Sequence, residues 1–312
     1  MEQLSAKILL FGEYAVLHQG MALVIPCDKY QGRLDFYEKT THKKSAIQSN
    51  EFLKRFCEFI VGYVDEKFVL EVQLFERELE RGLFFNSTIP QGYGLGSSGA
   101  LVAAIFLRYL KRTKDLKDEL KVQTFQKLNK LKNELGKLES YFHGVSSGLD
   151  PLSIILSQPI LYNHTKDIVI TQLPKTSGEK NHVIFLLNTK FPHSTSEMIR
   201  RFNSLYSKGD FKNKFEEHIV HNNNRAIRSL LKNNPEDFYR SLYYLSAFQL
   251  TEMKGFFPEP LQKEVSAGLD NGDYFLKLCG AGGGGFLLGF TQNWAYTREK
   301  LKAYKLEVIY SY

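Results

Sequence analysis

Two acids and one glycine-serine segment are the parts of this sequence best suited to chemistry. Glu139 and Asp150 stand eleven residues apart, and Pro90-Gln91-Gly92-Tyr93-Gly94-Leu95-Gly96-Ser97-Ser98-Gly99 runs directly into a long apolar stretch. Glycines let the backbone approach a ligand closely, and the first turn of a following helix offers unpaired N–H groups at the positive end of its dipole. Phosphate suits such a place, and a Ser97 or Ser98 hydroxyl adds a donor or a ligand for Mg²⁺. Glu139 and His143 are four apart, hence on one helix face. The segment from His143 to Pro151 then makes a loop that delivers Asp150 to the start of another helix. Each of these residues also has a plain structural reading. Asp150 before Pro151 reads as an N-cap with proline at the first helical position, and Ser98 reads as an N-cap too. Lys7 reads equally as a lysine at a strand edge.

Other motifs narrow the chemistry. Gly94-Leu95-Gly96-Ser97-Ser98-Gly99 matches the dinucleotide fingerprint formally, but Pro90 breaks the chain before it and more helix follows where a second parallel strand is required. No Walker A segment, with lysine after its last glycine, occurs anywhere in the chain. His218 and His221 share a helix face without a third ligand in view and read as surface residues. The glycine-rich segment Lys277 to Phe286 reads as a turn between apolar strands, with Cys279 a small buried apolar residue.

The elements that must position these residues follow from hydrophobic periodicity. Short strands are expected at 7–11, 15–17, 22–25, 33–37, 70–75 and 83–85. A helix buried on most faces is expected over 100–110, amphipathic helices over 116–142, and another helix starting near Asp150. Beyond the polar stretch 163–182, a strand is expected at 182–188, helices over 195–205, 211–232 and 235–250, and strands at 275–279 and 286–290. Strands and helices mix without a steady βαβ rhythm, which predicts an α+β chain of two domains, 1–172 and 173–312. With 312 residues, 43% of them hydrophobic and 13% aromatic, the chain can bury a large core. Cys27, Cys57 and Cys279 lie too far apart to suggest a disulfide framework, which fits a reducing compartment. The N-terminus lacks the marks of a signal peptide, and no apolar run approaches membrane-spanning length, so a cytoplasmic protein without a membrane partner is expected. The net charge of +7 is spread rather than clustered: in the densest basic stretch, Lys111 to Lys137, acids alternate with lysines as on a solvated helix. Nucleic acid is therefore not the expected partner.

The segment Pro90 to Gly99 resembles the P-x-x-x-G-L-G-S-S signature of the GHMP kinases, the family of galactokinase, homoserine kinase, mevalonate kinase and phosphomevalonate kinase. Two further signatures resemble that family in the same order. Ala6-Lys7 to Leu17 is similar to its N-terminal G-K-x-x-L-x-G-E-H-A-V motif, and Lys277 to Phe286 to its third, glycine-rich motif. Glu139 followed by a segment ending in Ser147-Gly148-Leu149-Asp150 resembles the E…H-G-x-x-S-G-x-D pattern of mevalonate kinases. Asn188 to Thr195 resembles their N-T-K-x-P-x-S-T segment. The resemblance implies a ribosomal S5-like N-terminal half, a ferredoxin-like C-terminal half, and direct in-line transfer from ATP with Mg²⁺ to an alcohol, mevalonate. By it, Asp150 is the general base and Lys7 its electrostatic partner. Gly92, Gly94, Leu95, Gly96, Ser97, Ser98, Gly99, Gly282 and Gly283 take the nucleotide, and Ser98 with Glu139 takes the metal. Glu13, Tyr14, His143, Thr195 and Ala281 face the substrate. Tyr14 replaces the usual His, Ser146 the usual Pro, and Ala6 the usual Gly. Gly12-Glu13-Tyr14-Ala15 is equally at home in phosphomevalonate kinases, so phosphomevalonate is the alternative acceptor. The non-enzyme alternative is a nucleic-acid-binding module, since the S5-like half has ribosomal relatives. No motif encodes the oligomeric state, and a homodimer is compatible with this reading.

Overall fold

The computed structural model describes residues 1–37, 44–63, 70–110, 125–163, 165, 167–175, 182–192 and 194–312, the side chains of Tyr63, Phe125 and His143 excepted. Outside the described residues lie the first half of the basic stretch (111–124), nearly all of the end of the polar stretch (176–181) and His193. Contacts gather the chain into two compact units that interleave in sequence. The first holds 1–7, 26–90 and 96–158, the second 8–25, 91–95 and 159–312. Strands β1 (Leu4–Phe11) and β2 (Ala22–Phe36) contribute residues to both. The two strands expected at 22–25 and 33–37 are thus one continuous strand, with Gly32 inside it.

In the first unit the C-terminal end of β2 pairs antiparallel with β3 (Leu83–Ser87), from Gly32 opposite Ser87 to Phe36 opposite Leu83. Helix α1 (Lys44–Tyr63) packs on β3 and on α2 (Val72–Glu80). Its buried stripe of Ala46, Asn50, Leu53, Cys57 and Ile60 recurs every three or four residues, as an amphipathic helix requires. Asn50 earns its place in that stripe by donating to the carbonyls of Leu79 at 3.0 Å and Leu83 at 2.7 Å. The strand expected at 70–75 is not formed. Leu70 makes a single bridge to Leu110, and α2 follows at once, burying Phe75 and Leu79 on one face. Helix α3 (Ser97–Tyr109) is apolar nearly all round and packs against α4 (Phe125–His143) and α5 (Leu149–Leu156).

In the second unit the first residues of β2 pair antiparallel with β4 (Ile160–Tyr162), which pairs in turn with β5 (Ile168–Ile170). A four-stranded antiparallel sheet has the order β7-β8-β6-β9, from β6 (Val183–Asn188), β7 (Tyr274–Leu278), β8 (Phe286–Thr291) and β9 (Leu306–Ser311). Every residue of β7 and β8 is buried, which explains their unbroken apolar sequences. Helices α6 (Thr195–Tyr206), α7 (Gly209–Lys214), α8 (His221–Leu231), α9 (Pro235–Glu252), α10 (Glu259–Asn271) and α11 (Trp294–Lys300) complete the unit. Residues 15–17, expected as a strand, belong to a 3₁₀ turn, Ala15–His18. With antiparallel sheets and helices segregated along the chain, the class is α+β.

Candidate functional site

Within the first unit, buried Leu95's neighbour Gly96 is the N-cap of α3, so the helix starts at Ser97. The N–H groups of Ser97, Ser98 and Gly99 belong to a first turn that has no intrahelical acceptors for them. Ser98 is therefore not the cap that the local sequence allowed. It lies inside the turn, and its hydroxyl donates to Glu139 Oε1 at 3.4 Å. Asp150 departs from the plain reading in the same way. The cap of α5 is Gly148, and Asp150 sits in the first turn with its Oδ2 2.8 Å from Lys7 Nζ. The Lys7 side chain is 7% exposed and that of Asp150 32%, so the acid is the open end of this ion pair.

Two glycines of the 90–99 segment make the pair's geometry possible. A Cβ on Gly96, whose φ is +74°, would stand 2.8 Å from both Cγ and Cε of Lys7. One on Gly99 would stand 2.9 Å from the Cβ of Asp150. Both lie below the closest approach that real side chains show, so this segment presses its backbone against Asp150 and Lys7 at once. Glu139, on α4, is 3% exposed. It accepts from Ser98 and, through its other oxygen, from Ser146. Burial and then the negative charge of Asp150 push its carboxyl up to about 7, against the opposing pull of Ser146, Lys7 and Ser98. Ser146 was visible in the sequence as a departure from the family pattern, but its hold on Glu139 was not. The His143 side chain lies outside the described residues.

Within the second unit, Glu13 and Tyr14 follow β1 after Gly12. Glu13 Oε1 receives Lys277 Nζ at 2.6 Å, with both side chains 3% exposed. The Tyr14 hydroxyl donates to the Ala281 carbonyl at 2.7 Å, and its ring stacks on Phe202 with centroids 4.1 Å apart. Burial, and after it the charge of Glu13, raises the Tyr14 hydroxyl above its ordinary pKa. Tyr14 also holds φ +58°, a strained conformation for a side-chain-bearing residue that costs roughly 1–3 kcal/mol. Thr195 opens α6, behind Ser194, which caps the helix by accepting from the Glu197 N–H at 3.4 Å. The glycine-rich third segment lies directly against residues 92–94. A Cβ on Gly285 would come within 2.7 Å of Tyr93 Cα, and one on Gly94 within 2.9 Å of the Cys279 carbonyl oxygen. Gly282 and Gly283 sit beside it against Phe256, whose carbonyl accepts the Gly283 N–H at 2.6 Å. Lys277 was read only as the first residue of the third motif, since nothing local links it to a residue 264 positions away.

Residues 62–158 match the family model for the GHMP kinases N terminal domain. No curated protein sequence matches the chain significantly. Among solved structures, Streptococcus pneumoniae phosphomevalonate kinase in complex with phosphomevalonate and AMPPNP is similar at 16% identity and TM-score 0.61, over 100% of this chain and 98% of that one. L. major mevalonate kinase in complex with R-mevalonate is similar at 15% identity and TM-score 0.61, over 96% and 89%. Lactococcus lactis galactokinase complexed with galactose is similar at 17% identity and TM-score 0.59, over 99% and 92%. The chain thus shares the fold of these GHMP kinases along its length, and its residues 62–158 match the model of that family's N-terminal domain.

Proposed function

From the premise of that fold and domain, we propose that the protein is an ATP-dependent phosphotransferase that moves the γ-phosphoryl group onto the hydroxyl of a small alcohol, with mevalonate as the acceptor. The observation that carries this reading is the 2.8 Å pair of Lys7 and Asp150 beside the first turn of α3. Phosphoryl transfer asks little covalent work of a protein, so a phosphate cradle, a metal clamp and a positioned base are nearly sufficient. The N–H groups of residues 97–99 bind phosphate oxygens. Asp150 accepts the hydroxyl proton as the alcohol oxygen attacks in line, and Lys7 stabilises the negative charge that develops beside it.

Glu139 offers a buried carboxylate whose partners are hydroxyl oxygens, a hard donor set that fits Mg²⁺. Among the described residues no group of three or more His, Cys, Asp or Glu side chains is placed to hold a metal ion, so Glu139 and Ser98 would hold it together with phosphate oxygens. Bound there, Mg²⁺ would offset phosphate charge. Mevalonate is favoured by the Asn188 to Thr195 segment. Phosphomevalonate is the second reading, favoured by Tyr14 in Gly12-Glu13-Tyr14-Ala15. The two domains are proposed to divide near 172/173. Among the described residues no helix is long and apolar enough to cross a membrane; a cytoplasmic location is proposed from the sequence, whose three cysteines suggest no disulfide framework. A coupled assay of ADP release against mevalonate, phosphomevalonate, homoserine and galactose tests the proposal. Turnover is expected with mevalonate. Turnover with phosphomevalonate alone would select the second reading, and salt-sensitive RNA binding without ADP release would favour a nucleic-acid-binding module instead.

A further inference from the structure

Lys277 is a buried cation to which the proposed reaction gives no part. Its side chain, 3% exposed, is more enclosed than that of Lys7 at 7%. Its ammonium has three N–H donors, and the structure supplies three acceptors: Glu13 Oε1 at 2.6 Å, the Leu278 carbonyl at 2.9 Å and the Leu10 carbonyl at 3.2 Å. One side chain of β7 thus grips both the end of β1 and the turn that follows it. Four residues further on, the Ala281 carbonyl takes the Tyr14 hydroxyl. The segment 277–281 therefore holds Glu13 and Tyr14 at two points.

We infer that Lys277 is a positioning residue that fixes the Gly12 to Ala15 turn, and with it Glu13 and Tyr14, in the geometry the phosphoryl transfer needs. Two arguments favour placement over stability. Taking two charges out of water is expensive, and well-packed apolar residues of similar volume commonly replace such a pair without loss of stability. The turn it holds is also strained at Tyr14, and such a conformation persists only where its surroundings over-determine it.

The inference rests on the kinase reading, and its test separates the two. The full chain is prepared as the parent and as the double variant Lys277→Met, Glu13→Gln, which removes both buried charges while keeping volume. Melting temperature, affinity for an ATP analogue, and kcat and KM for the alcohol are compared. A folded double variant is expected with analogue affinity and alcohol KM within about threefold of the parent and kcat lower by about 100-fold, the effect of a displacement near 1 Å. A folded double variant that keeps kcat within about threefold overturns the inference, and so does a loss confined to the alcohol KM, which would make Glu13 a substrate contact. Should the double variant fail to fold, Glu13→Gln alone is expected to lower kcat about tenfold at unchanged KM, and an unchanged kcat overturns the inference. If the parent releases no ADP with any alcohol, the kinase reading fails on its own. The grip is then read by hydrogen exchange at the amides of residues 11–15, expected to be at least about tenfold faster in Glu13→Gln, with unchanged exchange overturning it.

Discussion

The molecule contains two lysine-acid pairs of similar length and opposite accessibility. Lys7 and Asp150 meet at 2.8 Å with the acid about one-third exposed, while Lys277 and Glu13 meet at 2.6 Å with both partners sealed at 3%. An acid that water and ligands can reach can exchange a proton, and a cation beside it can answer a change of charge. An acid enclosed with its cation and two carbonyls can do neither, so what remains to it is to hold backbone in place. On the proposed reading the same pairing of residue types serves chemistry in one setting and placement in the other, and accessibility decides which.

The largest effect that would break this comparison comes from the open acid. Asp150→Asn keeps shape and removes the base, so kcat should fall by about 1000-fold while ATP affinity stays within a few fold. Unchanged turnover would place the chemistry elsewhere. Next comes the open pair's support. Gly96→Ala puts a methyl group 2.8 Å from the Lys7 stem, at φ +74°. It should lower kcat by about tenfold, and calorimetry should register a stability loss of about 1–2 kcal/mol.

Glu139 sharpens the contrast with the smallest effect, because it is as enclosed as the sealed pair's acid yet accepts hydroxyls rather than an ammonium. Its folded value of about 7 exceeds the ordinary 4.5, so the folded chain binds that proton more tightly than the unfolded chain does. The stability this proton contributes is complete below pH 4.5 and is lost as pH rises to about 7. Urea melts of metal-free protein across that window should show Glu139→Gln gaining on the parent as pH rises. A constant difference between the two would contradict the titration.

The positions of the open site were legible in the sequence because glycine, serine and acid at set spacing leave a trace in one dimension. Lys7, Ser98, Glu139 and Asp150 do gather in the first unit. The cap readings of Ser98 and Asp150 failed because a glycine two residues earlier took the cap in both helices, freeing each side chain to point elsewhere. Residues 70–75 alternate like a strand over six positions, but the window to Glu80 has helical period, and tertiary burial of Phe75 and Leu79 follows the longer pattern. The run 15–17 is too short to tell strand from helix, and the positive φ of Tyr14 turns it into a 3₁₀ segment. Helix α1 was missed although its stripe from Ala46 to Ile60 was readable in the sequence. The sealed pair left no such trace, because a contact between residues 13 and 277 exists only once β1 and β7 have folded together.

On the proposed reading, the phosphoryl group passes directly from ATP to an alcohol beside the open pair. Following the γ-phosphate of labelled ATP through a single turnover with mevalonate tests it most directly. The label should move onto the alcohol with none retained on the protein; label held covalently on the protein, or reaching no alcohol at all, would contradict it.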